Sequence, residues 1–142
     1  MKRSAALIRL SREHHSALVL ARRARRASVA NAEAASRFMT QAFAAFTREL
    51  EPHFRIEEAA LLPAMTDAGE LDLVRRTLAD HEELRRLAKR LEAQDAASLS
   101  RFGELLEAHV RFEECELFAH AESVLTPEAL AIMAMPEQTT VA

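Results

Sequence analysis

Tryptophan and tyrosine are missing from the 142-residue chain, and glycine occurs only twice, proline four times and cysteine once. With so little to interrupt helices and so little that favours strands, a sequence dominated by Ala, Leu, Arg and Glu is expected to be helical throughout. The lone Cys115 excludes an internal disulfide and fits a reducing compartment. No apolar run approaches the ~20 residues of a membrane span. Arg9, Arg12 and Glu13 break the first apolar stretch, so no secretory core is present. These absences predict a cytoplasmic protein with no membrane partner. Neither a Ser/His/Asp arrangement nor a phosphate-cradling glycine-rich loop is found, so metal-independent catalysis has no visible machinery.

The length suits one domain over residues 1–142, with a core large enough to need no staples. Net charge is −3 but uneven: residues 1–26 carry Lys2, Arg3, Arg9, Arg12, Arg22, Arg23, Arg25 and Arg26 against Glu13 alone. No aromatic residues accompany these arginines and no base-reading motif follows them. The basic stretch therefore reads as a solvated helix face, which argues against a nucleic-acid partner.

Two segments are versions of each other: His53-Phe54-Arg55-Ile56-Glu57-Glu58 and His109-Val110-Arg111-Phe112-Glu113-Glu114. In a helix, residues four apart share one face about 6 Å apart along the axis, so each imidazole and its carboxylate converge on one point. Four amphipathic stripes surround this repeat. Leu7, Leu10, His14, Ala17, Leu18 and Ala21 lie on a helix from about residue 4 to 30. Phe43, Phe46, Leu50, His53, Glu57, Ala60, Leu61 and Ala64 form the second stripe, with Pro52 predicting a kink or local break just before His53. Leu71, Val74, Leu78, His81, Leu84 and Ala88 form the third, and Leu99, Phe102, Leu106, His109, Phe112, Glu113 and Leu117 the fourth. Thr126-Pro127-Glu128 starts a short fifth helix, about 127–134, before a loose tail over 135–142. The expected architecture is an all-α, antiparallel up-down-up-down four-helix bundle over about 4–121, with that fifth helix beside it.

If His14, His53, His81 and His109 lie at one level in such a bundle, each turn must fall midway between successive histidines. The midpoints are near residues 33–34, 67 and 95. They coincide with Asn31 to Ser36, Thr66-Asp67-Ala68-Gly69 and Gln94-Asp95-Ala96, the breaks that composition selects independently. The four histidines are thus expected to meet.

Acidic-His steps at Glu13-His14 and Asp80-His81, alternating with the two His-x-x-x-Glu-Glu segments, make the chain two equivalent hairpins. Position 14 matches this pattern and the centre of its stripe, whereas His15 is rotated about 100° away, so His14 is the expected first-helix ligand. Four imidazoles and two carboxylates suit iron or manganese better than calcium or structural zinc. We expect two ions, one on His14 and His53 and one on His81 and His109, with Glu57 and Glu113 able to bridge them and coordination positions left open. A carboxylate among apolar residues costs several kcal/mol unless paired or coordinated. Glu58 and Glu114, about 100° off the ligand face, are expected to be solvated. Glu116 falls back on that face as a supplementary ligand or entrance carboxylate. His120 shares the face but lies about 16 Å from His109, too far for one dinuclear site, and Cys115 is expected to be a small packing residue.

Taken together and in order over nearly the whole chain, Glu13-His14, His53-x-x-x-Glu57-Glu58, Asp80-His81-Glu82-Glu83-Leu84 and His109-x-x-x-Glu113-Glu114 resemble the hemerythrin-like family, or HHE cation-binding domain. The resemblance implies a four-helix bundle around a non-haem di-iron centre. His14, His53, His81 and His109 would be terminal ligands of two iron ions, with manganese or zinc as alternatives. Glu57, Glu113 and an oxo or hydroxo group would bridge them. Two departures count against reversible oxygen carriage: the fifth histidine of the oxygen carriers is replaced by Arg85, and the last bridging residue is Glu113 at four residues rather than an aspartate at five. The pattern is nearer the bacterial four-histidine branch, which is linked to iron or oxygen sensing, nitric oxide responses or peroxide chemistry. The expected function is therefore binding or sensing of dioxygen, nitric oxide or peroxide. An enzyme that breaks down peroxide or nitric oxide, or a module whose metal occupancy controls partner binding, are the alternatives. A homodimer through an Ala-rich helix face is compatible with either.

Overall fold

Helix α1 spans Ala5–Ala27 in the computed structural model, which describes residues 3–134. The tail expected over 135–142 lies outside the described residues. Along α1, Leu7, Leu10, His14, Ala17, Ala21 and Ala24 are buried at steps of three and four, so one stripe faces inward. Helix α2 covers 32–67, α3 is Leu71–Glu92, α4 covers 98–124 and α5 is Pro127–Ala134. No strand occurs among the described residues, and none of their helices is long and apolar enough to cross a membrane. The all-α expectation therefore holds.

Short-range chemistry explains where these helices begin and end. Asn31 caps α2, its side chain accepting from the Ala34 amide at 2.8 Å. The first turn therefore occupies 28–31, earlier than the midpoint near 33–34, and Ser36 already lies inside α2. Gly69 takes φ 86° after α2, letting the Glu70 amide reach the Met65 carbonyl at 2.9 Å. Gln94 does the same after α3 at φ 65°, with the Asp95 amide on the Arg90 carbonyl at 3.0 Å. At α5 the Thr126 hydroxyl accepts from the Ala129 amide at 3.1 Å, the start that Thr-Pro-Glu predicts.

Short connections make α2, α3 and α4 each antiparallel to the helix before it, α4 closes the ring against α1, and α5 packs on α1. α1 and α4 approach closely at Gly103, where a Cβ would come within 2.8 Å of the Ala21 carbonyl oxygen. Two apolar clusters fill the interior. One contains Phe38, Phe46, Leu91, Leu99 and Phe102. The other contains Leu7, Leu61, Met65, Leu117 and Phe118, with Met133 of α5 closing its end. The histidine level lies between them.

Neither α2 nor α4 is a uniform α-helix. Phe46–Leu50 and Glu57–Leu61 in α2, and Glu113–Leu117 in α4, are π-helical turns. The amide after each one reaches back five residues, Glu51 to Phe46, Leu62 to Glu57 and Phe118 to Glu113. The first lies immediately before Pro52, so the break expected there is a widened turn within a continuing helix. Each π turn takes in one extra residue and delays the helical phase by about a quarter turn. In α4, a straight helix would carry the inward face from Glu113 to Glu116 and His120. Instead Leu117, Phe118 and Ala121 are buried while Glu116 and His120 are exposed. The reading of Glu116 and His120 as ligand-face residues is thus corrected: Glu116 approaches Arg76 at 3.6 Å and His120 approaches Glu70 at 3.2 Å, both at the surface. Cys115 is likewise exposed instead of packed. Along α2 the same shift buries Leu61 and Met65 and leaves Ala60 and Ala64 half-buried.

Candidate metal centre

His14, His53, His81 and His109 come from α1, α2, α3 and α4, one per helix, and all four are buried with Glu57 and Glu113 between them. His15 is exposed, so α1 directs His14 inward, as its stripe predicts. Two groups of donors emerge: His14, His53, Glu57 and Glu113, and His81, His109, Glu57 and Glu113. In each group the ligand atoms lie within 4.8 Å of one another, close enough to hold a metal ion.

Each carboxylate faces both groups. Glu57 presents Oε2 to His53 Nε2 at 3.2 Å and Oε1 to His81 Nε2 at 3.0 Å. Glu113 presents Oε1 to His14 Nε2 at 2.8 Å and to His53 Nε2 at 3.6 Å, and Oε2 to His109 Nε2 at 3.2 Å. Despite this proximity, Nε2 of His53, His81 and His109, both Glu57 oxygens and Glu113 Oε2 make no aligned hydrogen bond among the described residues. Buried polar atoms are rarely left so. Nitrogen and carboxylate oxygen atoms converging on common points, most of them without an aligned hydrogen bond, are the arrangement a cation satisfies.

The opposite ring nitrogen of each histidine shows how the imidazoles are aimed. His53 Nδ1 meets Glu13 at 3.1 Å, His81 Nδ1 meets Glu58 at 2.7 Å, His109 Nδ1 meets Asp80 at 2.9 Å and His14 Nδ1 meets Glu114 at 2.9 Å. An ionised carboxylate only accepts, so each Nδ1 must carry a proton, and the Nε2 atoms of the four rings are aimed inward. The four contacts close a ring around the bundle: α1 supports the histidine of α2, α2 that of α3, α3 that of α4, and α4 that of α1. This explains two features of the sequence at once. The acidic residue before His14 or His81 orients the histidine of the next helix, and the second Glu of each His-x-x-x-Glu-Glu does likewise. The expectation that Glu58 and Glu114 are solvated is therefore corrected. Both are half-buried acceptors, because the helices beside them bring an imidazole N–H within reach.

Six carboxylates around four imidazoles leave an excess of negative charge, and the pKa shifts register it. Burial opposes a charged His109, but the Glu113 charge and the Asp80 hydrogen bond outweigh it and push the ring up to about 10. His53, buried and facing Glu57, Glu113 and Glu13, is raised well above the usual imidazole range, and His14 is raised by Glu113 and Glu114 against its burial. Glu113 moves the other way: burial would raise it, yet His109, His14 and His53 hold it well below the usual carboxylate range. Protons on the histidines thus neutralise part of the charge that bound cations would otherwise offset. Mixed imidazole and carboxylate donors fit iron, manganese or zinc.

The two halves differ in their surroundings. A cleft of about 250 Å³ between α1 and α2, lined by Arg9, Glu13, Leu50 and Pro52 among others, reaches His14 and His53. On the opposite side the Phe54 ring stacks on His81 with centroids 3.9 Å apart. Arg85 lies over the Phe54 ring and pairs with Glu51 and Glu58.

The family described as hemerythrin HHE cation binding domain has a model that matches residues 6–121, which includes all six candidate ligands. No curated protein and no solved structure gave a match.

Proposed function

The chain belongs to the hemerythrin HHE cation-binding domain family, and from that premise we propose that this metal-binding protein holds two non-haem iron ions and binds dioxygen, nitric oxide or peroxide. His14 and His53 would hold one ion and His81 and His109 the other, with Glu57 and Glu113 giving one oxygen to each. An oxo or hydroxo group would complete the bridge. Zinc would suit the same donors less well for this role, since it has no redox chemistry, whereas iron, or manganese in its place, would supply the electrons that diatomic ligands and peroxide draw on. The observation that carries the reading is the set of inward-facing Nε2 and carboxylate atoms without hydrogen bonds, shared between two overlapping groups.

Two imidazoles and two bridging carboxylate oxygens per ion leave positions open, which favours ligand binding over a purely structural role. The cleft at His14 and His53 supports entry of a small molecule there, whereas Phe54 and Arg85 cover His81. The residues prepare the site in three ways: the carboxylate ring fixes the tautomers, the two apolar clusters exclude water from the interior, and the cleft admits a molecule of a few atoms. A cytoplasmic setting is part of the same proposal.

Metal analysis of the purified protein, joined to optical spectra before and after oxygen, nitric oxide and peroxide, tests this reading. The expected result is two iron ions per chain and an oxo-bridged diferric band that one of these molecules perturbs. His53→Ala with His109→Ala should abolish metal retention. Retention unchanged in that double variant, or no iron or manganese in the parent, would sink the reading.

A further inference from the structure

Arg85 stands one turn after His81 on α3, outside the candidate ligand set, and it pairs with two carboxylates at once. Its Nε and Nη2 donate to Glu51 Oε2 and Oε1 at 2.9 and 2.8 Å, and its Nη1 donates to Glu58 Oε2 at 2.8 Å. Glu58 Oε2 is also the atom that accepts from His81 Nδ1 at 2.7 Å. One carboxylate oxygen is therefore shared between the guanidinium and the imidazole. The pseudo-equivalent contact in the other half is built differently: Glu114 accepts from His14 and from the neutral Ser11 hydroxyl, while its nearest arginine, Arg3, stays 3.8 Å from its carboxylate.

We infer that Arg85 is a positioning residue for the metal centre, acting through Glu58 to hold His81 and so making the His81/His109 ion the more firmly held of the two. Two effects of removing it oppose each other. A Glu58 relieved of its guanidinium partner would be a stronger acceptor for the His81 N–H. It would also be left beside Glu51, a second carboxylate drawn to the same guanidinium, with no cation between them. Glu58 is partly exposed and anchored by little else, so like-charge repulsion turns it towards solvent and the loss of aim dominates. Lysine cannot substitute fully, because a single ammonium does not reproduce the fork that spans Glu51 and Glu58.

This inference rests on the two-ion reading above, and cobalt(II) titrated into the metal-free full-length chain separates the two. Absorbance gives the stepwise affinities, and paramagnetically shifted exchangeable signals report the four ring N–H groups. The parent should bind two cobalt ions. Arg85→Ala should weaken one ion by about tenfold, within the range for partners of a ligand, and leave the other within about twofold. It should also speed solvent exchange of the His81 N–H alone. Arg85→Lys should fall between, which keeps the test informative if the alanine variant folds poorly. Arg85→Ala combined with Glu58→Ala should bind no more weakly than Glu58→Ala, since both changes break one chain of contacts. Unchanged affinities in Arg85→Ala, equal weakening of both ions, or additive losses in the double variant would overturn the inference. A parent that binds fewer than two cobalt ions would overturn the two-ion reading and this inference with it.

Discussion

A histidine becomes a useful ligand only when its proton is placed, and here every imidazole has a carboxylate from the adjacent helix to place it. Asp80→Asn isolates this effect, because the amide oxygen can still accept from His109 Nδ1 but without full charge. The expected outcome is a fall of about 10- to 100-fold in metal affinity with unchanged helical circular dichroism, measured by competition with a chelator of known affinity. His14 and His15 offer a sharper contrast between neighbours. His14→Ala should lose metal, whereas His15→Ala should retain it, since only His14 is buried against Glu113. These roles were partly readable beforehand. The repeated motifs and their spacing exposed the six candidate ligands, but the supporting carboxylates required knowing which helices are neighbours. Glu58 and Glu114 point away from their own helix's ligand face and towards the next helix's histidine, a relation no single-helix projection contains.

Two close backbone features decide how the helices meet. Gly103→Ala should destabilise by about 1–3 kcal/mol, read from thermal or urea unfolding, because the new methyl group would meet the Ala21 carbonyl oxygen on a helix that cannot easily yield. Gly69→Ala has open space around its Cβ yet sits at φ 86°, so its cost, about 1 kcal/mol, is conformational alone. The π turns are a different kind of feature. Helix number, order and approximate ends followed from periodicity and from the histidine midpoints, while the face of each helix beyond Glu57 and Glu113 did not. Hydrophobic periodicity assumes 3.6 residues per turn, and one extra residue keeps Leu61 and Leu117 inward, brings in Leu62 and Phe118 beside them and turns Ala60 and Glu116 outward. Two of the three π turns begin at the candidate bridging residues, Glu57 and Glu113. Deleting the exposed Cys115 would let α4 continue as an ordinary helix with Leu117, Phe118 and Ala121 still three, four and seven positions from Glu113 in α-helical register. The variant should therefore fold but hold metal more weakly, because tightening the backbone after Glu113 redirects its carboxylate. Equal metal retention by the deletion variant would show that the π turn serves packing alone.

Across the whole molecule, the candidate centre ties one histidine from each long helix, with Glu57 and Glu113, into a layer between two apolar clusters, so metal occupancy and global stability are linked. Without metal, the layer is held by ion pairs whose pH dependence follows from the shifts. His109 has its folded pKa raised to about 10, so its contribution is complete below the unfolded imidazole value of about 6.5 and disappears as pH rises through about 10. Glu113 has its folded pKa lowered, so its contribution is present above about 4.5 and disappears as pH falls through the lower folded value. The metal-free protein should accordingly draw most stability from this layer between about pH 4.5 and 6.5 and lose it on the alkaline side. Metal ions need the same nitrogens deprotonated, so their binding releases protons and strengthens as pH rises. The gap between loaded and metal-free unfolding temperatures should therefore widen from pH 6.5 towards pH 9. At a free metal level about 100 times the dissociation constant the stabilisation is about 2.7 kcal/mol, or about 10 °C for a chain of this length. Scanning calorimetry of chelated and loaded protein across that range tests the linkage. A gap that stays constant or narrows with pH would mean that metal does not compete with protons at these histidines.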